Sequence, residues 1–128
     1  MAPSGQPAGY RAIPGGAALL VVQSASDACN PPEYSTKFYA AIVQSDRWFL
    51  TLRSGDHLPP YTDTADPADF VAVASVTTRF LADELSGAAP GAGFISLGDA
   101  NPSIATLTTG PPPTLAPLEQ SASACYLK

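Results

Sequence analysis

Basic charge is scarce in this chain: six Lys and Arg stand against eleven Asp and Glu, for a formal net charge of −5. The few cations form no cluster, so the electrostatic footprint of a nucleic-acid binder, or of a protein held to anionic lipid, is missing. Long hydrophobic runs are missing as well. No stretch approaches the roughly 18 to 20 apolar residues of a membrane span, and residues 1–16 (MAPSGQPAGYRAIPGG) have neither the basic start nor the apolar stretch of a secretory signal. Localisation of a longer parent stays open, secretion included. One His and scattered carboxylates offer no ligand spacing for a metal, and nothing in the chain calls for a cofactor. Two cysteines, Cys29 and Cys125, are too few for a disulfide scaffold and lack C-x-x-C spacing. Two free thiols and a Cys29–Cys125 disulfide both remain open, the second implying an oxidising compartment.

What is present suits one globular unit. The 128 residues are 45% hydrophobic, while 14 Pro and 10 Gly are concentrated toward the two ends. Residues 1–16 read as a linker or upstream connection, residues 17–87 as a β-α-β-α segment, and residues 88–128 as a Pro/Gly/Ser/Thr-rich tail. Ala17 to Gln23 (AALLVVQ) is an unbroken apolar run, the pattern of a strand covered on both faces in a parallel sheet. Asn30, Pro31, Pro32 and Glu33 carry a capping residue, first-turn prolines and an acid at capping-box spacing, which predicts a helix to about Val43. Tyr34, Phe38, Ala41 and Ile42 are its expected apolar stripe. Arg47 to Arg53 (RWFLTLR) is a second strand, and strand, helix and strand in this order predict a right-handed βαβ unit with parallel strands.

Gly55 to Tyr61 (GDHLPPY) must be a loop, because two prolines remove amide donors. A long helix runs from Asp66 to a stop at Gly87, its expected buried face being Phe70, Val73, Ala74, Thr77, Phe80, Leu81 and Leu85. Further on, Phe94 to Leu97 and Ile104 to Thr108 are spaced as a hairpin around residues 98–103.

In open parallel sheets, reactive groups gather at the carboxyl ends of strands. Asp27 lies four residues after the first strand run and His57 four after the second, so one βαβ crossover brings both to the same sheet edge. Singly, an Asp after a strand is commonly a turn residue and a His before prolines a loop residue. Together they suit a general base whose second ring nitrogen is held by a carboxylate. Asp56 reads as a solvated turn acid, Ser24 and Ser26 as loop hydroxyls, and Tyr61 as a candidate wall of a substrate pocket.

The stretches LLVVQSASDACNPPEYSTKFYAAI, WFLTLRSGDHLPPY and VTTRFLADELSG together resemble the last two strands and last helix of α/β-hydrolases, above all the dienelactone-hydrolase-like and polyester-hydrolase-like members. The resemblance covers Ile13 to Gly87. It implies an α/β fold that is the C-terminal fragment of an α/β-hydrolase, with Asp27 as triad acid and His57 as triad base. It also implies, for the complete protein, a small-molecule or polymeric ester as substrate. The family's G-x-S-x-G nucleophile elbow is absent, and only 26 residues precede Asp27. The chain alone is therefore expected to be inactive. Three readings follow: a segment of a serine hydrolase, a non-catalytic binding or interaction module, or a half-enzyme completed by a separate N-terminal chain.

Overall fold

The computed structural model describes residues 18–42, 46–55, 57, 67–87 and 92–125; the segment read as a linker, residues 1–16, falls outside them. Six elements follow in chain order: β1 (Leu19–Ser24), α1 (Pro32–Ala41), β2 (Arg47–Leu52), α2 (Pro67–Ser86), α3 (Ala92–Gly98) and β3 (Ala105–Thr109). A short 3-10 turn, Ala122–Cys125, follows them. They form a small mixed α/β arrangement around a three-stranded sheet of order β1-β2-β3.

β1 and β2 are parallel, in register from Leu19 with Arg47 to Ser24 with Leu52, and β3 runs antiparallel to β2. The central strand is β2, which accounts for its nearly continuous burial. Because successive side chains alternate across a strand, the sheet builds two cores. Trp48, Leu50, Leu52, Ala105 and Leu107 meet α2 and α3 through Val73, Val76, Phe80 and Phe94 on one face. On the other, Val21 and Phe49 meet Tyr39 of α1, with Leu115 of the returning chain beside them. Each such Leu, Val or Phe contributes about 1.5–3 kcal/mol by leaving water.

α1 starts on Pro32 at its first turn, but the expected capping box does not form: the N-cap is Pro31, and no side chain caps the helix. Asn30 belongs instead to the acid turn, its backbone amide donating to Asp27 Oδ1 and its carbonyl accepting from Gln23 Nε2. The buried residues of α1 are Pro32 and Tyr39, with Ile42 just beyond, so the stripe is rotated from the one expected; Tyr34, Phe38 and Ala41 are half-buried. The phase is set by Tyr39, whose hydroxyl shares its one proton between the carbonyls of Arg47 (3.2 Å) and Gly110 (3.1 Å) while its ring meets Phe49 edge-on at 5.4 Å. At the far end the Arg47 guanidinium donates to the carbonyls of Tyr39 and Ile42 at 2.9 and 2.8 Å and lies 4.7 Å over the Tyr39 ring. A cation there satisfies carbonyls left open by the helix end and meets its negative pole.

α2 buries Asp69, Val73, Val76 and Phe80. Of the expected face, Phe70, Ala74 and Thr77 are half-buried, whereas Leu81 and Leu85 are 52% and 88% exposed. The inward face is set by residues 69, 73, 76 and 80; Leu81 follows Phe80 by one position, about 100° around the helix, and Leu85 lies beyond the last buried residue. Gly87, at φ +73, closes the helix.

The expected hairpin of residues 94–97 with 104–108 is not formed. Phe94 to Leu97 lies inside α3, and the later segment pairs with β2 instead. Phe94 decides this, with Trp48 edge-on at 5.0 Å and Phe80 at 6.0 Å. α3 then closes on β3 at Gly98, where a Cβ would stand 2.3 Å from Cβ of Leu107. Asp99 Oδ1 accepts the amide of Leu107 at 2.7 Å, covering a group that the strand would otherwise present at its outer edge. Part of the segment read as a tail thus supplies the third strand.

Candidate active site

After Ser24 the chain leaves β1 through a turn whose geometry is set by one carboxylate. Asp27 Oδ1 accepts the backbone amides of Cys29 at 3.0 Å and Asn30 at 2.9 Å, an Asx turn that wraps the backbone around the acid. The carboxylate is consequently buried, the residue being 4% exposed. Oδ2 remains, and it meets Nδ1 of His57 at 2.8 Å. A carboxylate only accepts, so the proton of this bond belongs to Nδ1, and the lone pair of the neutral imidazole is on Nε2. The His57 side chain is 33% exposed. An imidazole aimed by a buried carboxylate behind it, with Nε2 accepting from no group among the described residues, has the composition of a general base.

Two hydroxyls tie the turn to the loop that bears His57. Ser24 Oγ and Ser26 Oγ both donate to the carbonyl of Gly55, at 2.7 and 3.1 Å, and Gly55 sits at φ +113, a region that L side chains avoid. Beneath them Gln23, buried in the sheet, donates through Nε2 to the carbonyls of Ser24 and Asn30 and accepts from Ser35 Oγ through Oε1. None of these holding roles is legible from spacing. The one available signal is a polar residue, Gln23, closing an apolar run.

Cys29 and Cys125 form a disulfide with α-carbons 4.7 Å apart. Tyr61 and Asp56 lie outside the described residues. Donor atoms of Asp27, Cys29 and His57 lie within 4.8 Å of one another, but the sulfur is spent in the disulfide and the carboxylate and imidazole bind each other, so this donor set does not suit a metal. A separate groove of about 550 Å³ runs between α2 and the α3–β3 turn, walled by Val71, Ala72, Leu97 and Ile104 among others; neither Asp27 nor His57 lines it. No described helix is long and apolar enough to cross a membrane. Comparison with models of known protein families, with curated proteins and with solved structures finds no match to this chain.

Proposed function

We propose that this chain is the C-terminal segment of a serine α/β-hydrolase acting on ester or related acyl bonds, that it supplies the acid and the histidine of a Ser–Asp–His triad, and that it is inactive alone. The observation that carries the reading is the 2.8 Å contact between Asp27 Oδ2 and His57 Nδ1, made by loops at the carboxyl ends of two adjacent parallel strands. In such a triad Nε2 takes the proton of a serine hydroxyl as its oxygen attacks the acyl carbon. The imidazolium, stabilised by Asp27, then returns that proton to the leaving alcohol, and water repeats the sequence to release the acid.

The nucleophile and the oxyanion donors belong to another segment. No G-x-S-x-G is present, and Ser24 and Ser26, the serines nearest the acid, give their hydroxyls to Gly55 rather than to the imidazole. Without those donors the largest electrostatic contribution to the rate is missing. The purified chain is expected to show no turnover of small activated esters above background. Supplied with a G-x-S-x-G segment, read in frame upstream or from a neighbouring gene and fused or co-expressed, it is expected to gain turnover that falls on the order of 10⁴-fold in Asp27→Asn. Clear turnover by the chain alone, absence of any such segment, or activity indifferent to Asp27→Asn and His57→Ala would each overturn the reading.

A further inference from the structure

The acid turn is held from two sides. From the sheet side Gln23 binds the carbonyl of Asn30. From the opposite side comes a segment nearly a hundred residues later in the chain: the amide of Ser121 donates to the carbonyl of Ala28 at 2.9 Å, Gln120 Nε2 donates to the carbonyl of Cys29 at 3.2 Å, and Cys125 is bonded to Cys29 through sulfur. These attachments fall on the backbone that shapes the acid. The residue carrying the disulfide, Cys29, also donates the first amide to Asp27 Oδ1, and its neighbour Asn30 donates the second.

We propose that Cys29, Ser121 and Cys125 are positioning residues for Asp27: the C-terminal segment clamps residues 28–29, the clamp holds the two amides on Oδ1, and the occupied Oδ1 leaves Oδ2 aimed at His57. Sequence separation explains why a covalent link is used. The Asx turn is local and supplies its own hydrogen bonds, but its backbone lies near the surface, Cys29 being only half-buried, where water competes for the two amides. Local bonds alone leave the turn free to open. The bridge, closing a separation of 96 residues, removes that freedom at the residue where it matters.

The proposal deepens the hydrolase reading, yet its test needs no turnover. The chain has a single His, so its imidazole nitrogen and carbon-bound proton signals are unambiguous in a magnetic resonance spectrum. Asp27→Asn marks the positions of those signals when the carboxylate is gone. A dithiol reductant passes two electrons and two protons to the sulfurs of Cys29 and Cys125, giving two thiols, and closes to its own disulfide. Reduction is expected to move the His57 signals most of the way toward those of Asp27→Asn, with α2 and the sheet retaining their amide spectrum, and reoxidation to restore them. Ser121→Pro deletes the amide given to Ala28 with the bridge intact, and is expected to produce a smaller movement in the same direction. Signals that stay in place on reduction of a chain that remains folded would overturn the proposal. Should reduction unfold the chain, Ser121→Pro decides alone, and an unmoved spectrum in that variant overturns the proposal equally.

Discussion

Replacing Cys29 and Cys125 together with Ala releases the acid turn locally, and its effect on overall stability is expected to come chiefly from the unfolded chain. The bridge spans a sequence separation of 96, and for a closed loop of that size the chain-entropy relation gives about 4.7 kcal/mol. A domain of this length has about 5–15 kcal/mol of total stability, so the loss is a third of it or more. In urea, with a slope of about 1.5 kcal/mol per molar, the unfolding midpoint is expected to fall by roughly 3 M; on heating, at roughly 3–6 °C per kcal/mol for a chain of this size, Tm is expected to fall by roughly 14–28 °C. Urea titration of the wild-type chain and of the double variant, followed by Trp48 fluorescence, measures the difference. Trp48 is a suitable probe, being buried against Phe94. A loss below about 1 kcal/mol with an unchanged slope would refute the loop-entropy reasoning, and would mean that the unfolded chain already keeps residues 29 and 125 close together.

Gly98→Ala is expected to destabilise by about 1–3 kcal/mol, since the added methyl must displace β3 or α3; the nearest obstacle, at 2.3 Å, is Cβ of Leu107, too close to the backbone for rotation to clear it. Thermal denaturation checks this, and a neutral result would show that α3 does not approach β3 so closely. Tyr39 provides a pH test: burial pushes its phenol above 10.0, with Arg47 opposing. A folded-state value above the unfolded one means that the contribution to stability is fully present below pH 10.0 and is lost as pH rises through the raised value. Ionisation would also remove the donor that Tyr39 offers the Gly110 carbonyl, while the Arg47 carbonyl keeps Thr109 Oγ1 at 2.7 Å. Urea midpoints on either side of pH 10.0 should fall less in Tyr39→Phe than in the wild-type chain, and equal slopes would refute the assignment.

The local elements are written in short windows of sequence. An apolar run ending in Ser-Ala-Ser-Asp places β1 within two residues of its observed bounds, and the aromatic run from Arg47 contains β2. The order strand, helix, strand carries the parallel pairing, because a crossover of that length returns the chain to the same edge. Asp27 and His57 could be singled out as a pair for the same reason: each follows its strand by a few residues, and the strands are neighbours.

Tertiary structure decided what no window contains. Phe94 to Leu97 has a composition that serves strand or helix, and became helical because Phe94 fills the space between Trp48 and Phe80. The phase of α1 was decided by where the Tyr39 hydroxyl finds two carbonyls, one of them 71 residues away at Gly110. Leu81 and Leu85 fit a helical stripe and are nonetheless exposed, because the packed partners fix the inward face on residues 69, 73, 76 and 80. The partner of Cys29 was open for the most general reason. Contacts between residues far apart in the chain are chosen by the folded shape, which brings residues 120–125 back across the acid turn, whereas turn chemistry and hydrophobic period are properties of neighbours.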